Sequence, residues 1–492
     1  MAAANQQKFV KDIASRSEDY SQWYLDVVRK ADLADYTEVR GCMVIKPHGY
    51  AIWENIREAL DRRIKATGHR NAYFPLFVPE SYLKKEAEHV EGFAPECAWV
   101  THGGNEPLEE RLAIRPTSEA IIGACYSKWI QSYRDLPLLI NQWANVVRWE
   151  KRTRPFLRTS EFLWQEGHTC HRTAEDAIEE VLRMLEVYRE FMATEMAMPV
   201  VVGAKSPSER FAGAQDTYTC EALMGDGNAL QAGTSHALGQ GFAKGFDIKF
   251  LDEDNTIKYV WQTSWGVSTR LMGALIMTHG DDNGLIVPPN LSPIKSVVVP
   301  IYRDDTRATV VEAGQRLAAQ LNTEFIQTIC DAGDASKPGA KYAHWELRGV
   351  PVRIELGPRD LEQGTCVLVR RDTREKVVAS LDTVADTLRS TLNDVQSNLY
   401  DSALERLRQR THRPASYGEF KERLDAERGL FLCGWDGTAA SEAAIKEETK
   451  ATLRCLPRNL EDLGIEAPAL DGLKDIYSGA PAKYVAIFAR AY

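Results

Sequence analysis

The chain has 492 residues, 44% hydrophobic and 26% charged, a balance that excludes a disordered or fibrous protein and suits a globular one. That length predicts about three domains. A net charge of -10 argues only weakly against nucleic acid, since a local basic surface suffices to bind it. Met1 is followed by Ala-Ala-Ala-Asn-Gln-Gln-Lys8 with no apolar run, and no apolar stretch is long enough to span a bilayer. Neither a secretory leader nor a membrane anchor is expected, and the expected location is cytoplasmic. The 9 cysteines, scattered from Cys42 to Cys455 without a C-x-x-C pair, read as reduced thiols.

In chain order, residues 5–30 and 50–66 carry apolar positions at helical spacing, as in Ile52, Ile56, Leu60 and Ile64. Strands are predicted at Asn71–Pro79, Leu138–Glu150, Phe156–Glu166 and Tyr259–Ser264. The second and third flank the polar stretch Lys151–Pro155, which predicts a hairpin with a basic loop. Residues 174–196 form an amphipathic helical pattern. Gly284–Pro293, with three prolines and a glycine, reads as a linker.

Beyond it the pattern turns to β-α-β. A strand is predicted at Ser296–Pro300, a helix at Asp305–Leu321 and a strand at Glu324–Ile329. A helix with Tyr342 and Trp345 follows, then strands at Pro351–Leu356 and Thr365–Arg370, giving a small α/β unit that ends near residue 400. Residues 374–412 read as a charged helix. The remainder holds a strand at Gly429–Cys433, a helix at Ser441–Thr449 and an apolar end, Tyr484–Phe488. There is no internal repeat.

Several chemistries are excluded. The chain has no G-x-x-x-x-G-K-[ST] loop, no G-x-G-x-x-G after a strand and no G-x-S-x-G elbow. His168-Thr-Cys170-His171 offers three metal donors, but neighbours on a strand point to opposite faces, so no zinc is expected there. Asp281-Asp-Asn-Gly284 lacks the downstream glutamate of a calcium loop and reads as a turn.

The hairpin is more informative. Strand alternation puts Arg148 with Glu150, and Phe162 with Trp164 and Glu166, on shared faces. A guanidinium, carboxylates and aromatics facing one way suit a nucleotide, arginine to phosphate and ring to base. Cross-strand ion pairs on a half-exposed sheet account for them equally well. Arg270 follows Trp265-Gly-Val-Ser-Thr and opens the apolar run Leu271–Met277, so its charge needs a phosphate or a core carboxylate. Gln231-Ala-Gly-Thr-Ser-His236 is a small-residue stretch whose histidine is structural or catalytic.

Four blocks, in order, carry a resemblance. Gly41-Cys-Met-Val-Ile-Lys-Pro-His-Gly-Tyr50 through Pro79-Glu80 looks like the first, dimer-forming motif of class II aminoacyl-tRNA synthetases. Arg115-Pro-Thr-Ser-Glu119 resembles an amino-acid-binding loop. Arg148-Trp-Glu150, Phe156-Leu-Arg-Thr159 and Phe162-Leu-Trp-Gln-Glu-Gly-His168 resemble the second motif. Gly266-Val-Ser-Thr-Arg270 through Gly280-Asp281 resembles the third. Together they are similar to the prolyl-tRNA synthetase family, over nearly the whole chain.

The resemblance implies an α/β (α+β) fold: an antiparallel catalytic sheet flanked by helices at 1–290, an α/β anticodon-binding domain at 291–400 and a small C-terminal domain at 401–492. It implies a homodimer that activates L-proline with ATP to prolyl-adenylate and transfers proline to the 3′ end of tRNA(Pro), releasing AMP and diphosphate. A carboxylate is already ionised at neutral pH, so the step needs positioning and charge stabilisation rather than a base. By the resemblance Arg148 bridges the proline carboxylate and the α-phosphate, and Arg270 holds the γ-phosphate. Phe162 stacks on adenine, with Glu150, Arg158, Thr159, Thr234 and Ser268 around the nucleotide and Gln231 holding ATP with its Mg2+. Thr117 and Glu119 meet the proline ammonium with His236 beside it, Glu166 also binds proline, and Trp164 and Phe211 (in Arg210-Phe-Ala-Gly213) wall the ring.

Some family members carry a large editing insertion between the second and third motifs. The stretch from Cys170 to Gln231 has no room for it, which implies the archaeal/eukaryotic-like type and lets alanine leak in. Trp345-Glu-Leu-Arg-Gly-Val-Pro351 and Arg353-Ile-Glu-Leu-Gly-Pro-Arg-Asp360 resemble the anticodon-binding domain. There Glu346, Arg353, Arg359 and Asp360 would read two guanines. Without the resemblance, a helix cap and a charged strand edge explain them. Some relatives hold zinc near the C-terminus through four cysteines. This chain keeps Cys433 and Cys455, with Asp436 and Ser441 nearby, so no zinc is expected. In the family the tail folds back towards the catalytic domain, so the Tyr492 carboxylate is a candidate structural group. Two alternatives remain: a sister synthetase for threonine, serine or glycine, and a silent paralogue. The Arg115–Glu119 and Arg210–Gly213 blocks disfavour the first, and the presence of both Arg148 and Arg270 disfavours the second.

Overall fold

A computed structural model describes residues 13–89, 96–334 and 336–492. Residues 5–12 of the first predicted helix lie outside these. The helix itself runs over Tyr20–Lys30, and the Asp19 side chain caps it by accepting the Gln22 N–H at 2.9 Å. The second helix, Pro47–Ala66, starts at a proline whose missing N–H costs nothing in the first turn. It buries Ile52, Ile56, Leu60 and Ile64, the face its spacing predicts.

Among the described residues the main sheet has 11 strands. Its catalytic half runs Val200–Ala204, Asp216–Leu223, Ala229–Gly239, Trp261–Ser268, Glu161–His171 and Leu138–Val147 in spatial order, all antiparallel. Arg70–Asn71 adds a short parallel edge. The helix Ala174–Thr194 buries Met184, Leu185, Tyr188, Phe191 and Met192 in one cluster with Trp265 and Val267 of the sheet. Gly167 is required here: any Cβ on it would collide with the Trp265 indole lying across the neighbouring strand.

The predicted hairpin exists, with shifted edges. Pairing stops at Val147↔Glu161, and residues 148–160 form its loop. Arg148 N–H still donates to the Ser160 carbonyl at 2.8 Å, but Glu150 is off the strand, so the face it was expected to share with Arg148 is not formed.

The second sheet has order Thr328–Cys330, Ser296–Pro300, Val352–Leu356, Thr365–Arg370, Lys376–Ser380, parallel over the first three and antiparallel thereafter. Two expectations change. The predicted Glu324–Ile329 strand forms only at Thr328–Cys330, because Glu324 and Phe325 (φ 59°) make the turn out of the preceding helix. The charged helix begins at Val384 rather than 374, because Lys376–Ser380 with its two valines completes the sheet edge.

Gly284–Pro293 is a packed connection, not a free linker. Leu285, Val287 and Leu291 are buried in the main core, and the N–H groups of Leu285 and Val287 donate to the carbonyls of Leu347 and Gly349 at 3.0 and 3.1 Å. The C-terminal strands Leu430–Trp435, Tyr484–Ala489 and Thr452–Pro457 continue the catalytic sheet through the antiparallel pairs Leu456↔Ala204 and Pro457↔Gly203. Among the described residues no helix is long and apolar enough to cross a membrane.

Candidate active site

Three antiparallel strands, Glu161–His171, Ala229–Gly239 and Trp261–Ser268, raise alternate side chains into a cavity of about 250 Å³. Phe162, Trp164, Glu166 and His168 enter from the first, as a period of two dictates. Ser264 and Ser268 enter from the third. On the middle strand Gln231, Thr234 and His236 all face the cavity, which strict alternation forbids. A bulge resolves this: Cys220 pairs with Gly233 but Glu221 pairs with Gln231, leaving Ala232 extra. Thr117 and Glu119 come from the start of the helix Glu119–Trp129, Arg148 from the hairpin loop and Arg270 from the first turn of the helix Arg270–His279.

The two arginines are partly buried and donate to main-chain carbonyls. Arg148 Nε reaches the Pro116 oxygen at 2.9 Å, and its guanidinium lies 5.6 and 5.3 Å from the Phe162 and Trp164 rings. Arg270 donates through Nε to Leu157 at 3.2 Å and through Nη1 to Gln231 at 3.4 Å. Burial lowers both pKa values from the ordinary arginine value, and Arg148 lowers that of Arg270 further. A cavity with two recessed cations is built to receive negative charge.

The same cavity holds a carboxylate network. Glu166 accepts from Ser118 Oγ at 2.5 Å and Gln142 Nε2 at 2.8 Å through one oxygen, and meets His168 Nε2 at 2.9 Å with the other. Burial would raise the Glu166 pKa, but the hydrogen bond and charge of His168, with Ser118 and Gln142, hold it below the usual range. His168 responds in kind: burial pushes its pKa down, and Glu166 more than reverses that. Thr117 donates to Glu119. His236 is pushed down to about 3 by burial, then by His168 and Arg148, and is neutral. Its Nδ1 lies 3.0 Å from Thr217 Oγ1, and its ring is tilted against Phe211 with centroids 4.8 Å apart.

Twelve residues named from sequence thus share one cavity: Thr117, Glu119, Arg148, Phe162, Trp164, Glu166, Phe211, Gln231, Thr234, His236, Ser268 and Arg270. Three lie elsewhere. Glu150 and Arg158 pair at 2.7 Å in a neighbouring hollow that shares Arg148. Thr159 lines another hollow against Thr37, Gly41 and Thr153. Sequence reasoning assigned no role to Ser118, Gln142, His168, Glu209, Arg210 or Thr217. Gln142, one of three polar residues with Asn141 and Asn145 in the run Leu138–Val147, carried a legible signal.

In the second unit Arg353 donates to Glu346 at 2.9 Å and to Glu355 at 2.9 Å, and stacks 3.9 Å from the Tyr342 ring. Arg359 is exposed, and Asp360 caps its own helix by accepting the Gly357 N–H at 2.7 Å. Near the C-terminus Cys433 and Cys455 are buried in apolar clusters, while Asp436 and Ser441 bond each other at 2.7 Å. His168 and His171 take opposite faces of their strand, the latter bonded to Thr169 at 2.7 Å. Among the described residues no group of three His, Cys, Asp or Glu side chains could hold a metal.

Three family models match the chain. They are the tRNA synthetase class II core domain (G, H, P, S and T) at residues 99–279, the anticodon binding domain at 295–391 and the prolyl-tRNA synthetase C-terminal domain at 417–492. Curated relatives named proline–tRNA ligase align over nearly all of this chain and of their own length. That of Pelodictyon phaeoclathratiforme is 57% identical over 98% of this chain and 99% of its own length. That of Chloroherpeton thalassium is 56% identical over the same shares, and that of Natranaerobius thermophilus 57% over 94% and 95%.

Proposed function

The chain belongs to the prolyl-tRNA synthetases, class II enzymes that join proline to tRNA at the expense of ATP, and on that premise we propose how its residues divide the work. Arg148 bridges the proline carboxylate and the ATP α-phosphate, and Arg270 takes the γ-phosphate. The observation that carries this is that both guanidiniums line one cavity while donating to main-chain carbonyls rather than to a carboxylate, leaving donors for an anionic ligand.

Phe162 stacks on adenine beside Arg148, with Thr234 and Ser268 lining the nucleotide's share of the cavity. Glu150, Arg158 and Thr159 act from the loop above it. Gln231 would help hold the magnesium that accompanies ATP through its amide oxygen, and the ion would neutralise part of the triphosphate charge.

The proline ammonium meets Thr117, Glu119 and Glu166, with neutral His236 beside it, and Trp164 and Phe211 enclose the ring. The ionised state of Glu166, supported by its three partners, suits a cationic amine.

We assign 1–290 to activation and dimerisation, 291–400 to the anticodon and 401–492 to the C-terminal domain. The first-motif segment supports a homodimer: Val44, Tyr73 and Phe77 are 53%, 71% and 46% exposed there. Glu346, Arg353, Arg359 and Asp360 read the anticodon; the Glu346–Arg353 pair, between the helix Pro338–Leu347 and the central strand Val352–Leu356, offers acceptors and donors together. The helix Ala174–Thr194 and the strands Val200–Ala204 and Asp216–Leu223 use up the span between the second and third motifs, which supports the archaeal/eukaryotic-like type without an editing insertion. The enzyme works in the cytoplasm, with its tRNA.

The test of the arginine roles is amino-acid-dependent pyrophosphate exchange with Arg148→Ala and Arg270→Ala. Each loses about 10²–10³ in kcat, the scale of removing one aimed charge-stabilising donor. Near-normal exchange in either variant overturns its role.

A further inference from the structure

The wall that closes the cavity around Phe211 is a loop, and what holds it comes from the far end of the chain. Strand Val200–Ala204 leaves the sheet at Lys205, and the next strand begins only at Asp216. Between them Arg210 pairs with Asp216 at 2.9 Å, and the Phe211 N–H donates to Thr217 Oγ1 at 3.0 Å. Those contacts fix the loop's exit. Its entrance is fixed from outside. Ser206 Oγ donates to Glu442 Oε1 at 2.7 Å, with both residues buried, and Lys446 Nζ donates to Glu209 Oε1 at 3.2 Å.

Glu442 and Lys446 lie one turn apart on the helix Ala439–Thr449 of the C-terminal unit. That helix is itself rigidly mounted. Its N-terminus is capped by Thr438, and Ile445 packs with Trp435, Leu453 and Phe488. It therefore presents two fixed anchors to a loop whose first turn, Pro207–Glu209, leads directly to Arg210 and Phe211 at the cavity.

We propose that Glu442 and Lys446 are positioning residues for proline: they hold the 206–214 loop so that Phe211 stands at the distance a five-membered ring requires. Neither touches the cavity, so they act through Ser206 and Glu209. A wall displaced by a fraction of an ångström loosens the amino acid's site and leaves the triphosphate's cations, on other elements, where they are. The inference rests on Phe211 facing proline; Phe211→Ala is the control that separates failure of that premise from failure of the anchor.

The experiment is tRNA-free pyrophosphate exchange with proline and ATP varied in turn. Glu442→Ala raises the proline KM about tenfold, the scale of one lost buried hydrogen bond. The ATP KM stays within about twofold, a split that general loosening of the fold does not produce. Glu442→Gln, whose amide oxygen still accepts from Ser206, restores the proline KM, and Ser206→Ala added to Glu442→Ala causes no further loss. Lys446→Glu is exposed and faces Glu209 with like charge; it raises the proline KM without lowering the thermal midpoint, and serves where Glu442→Ala does not fold. The proposal is overturned by proline and ATP KM rising together, by an unchanged proline KM in Lys446→Glu, or by Glu442→Gln as damaging as Glu442→Ala. If Phe211→Ala leaves the proline KM unchanged, the premise has failed rather than the anchor.

Discussion

Arg371 donates from Nη1 and Nη2 to the two carboxylate oxygens of Asp281, at 2.9 and 2.6 Å, and its third donor, Nε, reaches the Glu346 carbonyl at 2.9 Å. Asp281 follows the helix Arg270–His279 that starts with the cavity arginine, and Glu346 belongs to the proposed anticodon site. One buried guanidinium thus pins the second sheet to the catalytic core. Burial alone would raise the Asp281 pKa, but Arg371 outweighs it and holds the carboxyl below its ordinary range. Arg371→Met leaves Asp281 a buried carboxylate without its cation, a loss of about 3 kcal/mol in docking the two units. The expected result is a tRNA KM raised about tenfold in aminoacylation with tRNA-free exchange changed less than about twofold. Equal damage to both assays would show that Arg371 serves the fold at large.

Glu221 has a comparable role on the other flank. It is fully buried, with Lys205 at 2.9 Å on one oxygen and Arg454 at 2.9 and 3.0 Å on the other. Arg454 comes from the C-terminal strand that continues the catalytic sheet. Arg454→Met is expected to cost about 3 kcal/mol because it leaves half of a buried charge cluster behind, whereas Glu221→Met with Lys205→Met and Arg454→Met recovers most of that. Chemical denaturation of the three proteins measures it. A single variant as stable as the parent removes the C-terminal strand from the stability of the core.

The Glu166–His168 pair sets a pH signature. The His168 pKa is raised in the folded chain, so its contribution is complete below the ordinary histidine value of about 6.5 and is lost as pH rises through the folded value. The Glu166 pKa is depressed, so its contribution is present above about 4.3 and is lost as pH falls through the folded value. The pair therefore stabilises most between those limits. His236, at about 3, is neutral in the folded chain throughout that window but protonated in the unfolded one, so it adds a destabilisation that grows as pH falls below about 6.5, in parent and variant alike. Thermal midpoints of the parent and His168→Gln should differ most near pH 6 and converge towards pH 9. A gap that widens with pH contradicts the pairing.

What the sequence made legible followed from local periodicity. The helix at Pro47–Ala66 and the strand face bearing Phe162, Trp164 and Glu166 need only the spacing of their own residues. What stayed hidden depends on a partner far along the chain. The bulge at Ala232, which turns Gln231 to the cavity, is set by the opposite strand at Cys220 and Glu221. Whether Glu150 points in or out depends on Arg158 capturing it. Lys376–Ser380 reads as part of a charged helix until Thr365–Arg370 is available to pair with it. The fusion of Leu456 to Ala204, and with it the Arg454–Glu221 contact, has no local signal at all.

Selectivity against alanine gives the sharpest test of the cavity itself. Alanine fits any site that admits proline and lacks two ring methylenes, each worth about 1–3 kcal/mol in a hydrophobic pocket. Alanine should therefore be activated with kcat/KM about 10²–10⁴ below proline, detectable as alanine-dependent exchange. Phe211, packed against His236 in the cavity wall, is assigned to the ring methylenes that alanine lacks. Phe211→Ala should lower proline kcat/KM at least tenfold, since truncating a packed aromatic wall costs about 1.4 kcal/mol or more. Alanine kcat/KM should change less than about twofold, so the ratio between the two amino acids collapses from one side only. Parallel loss for both would mean that Phe211 supports the floor of the site rather than its ring-facing wall, and the division of the cavity between Phe211 and Trp164 would have to be redrawn.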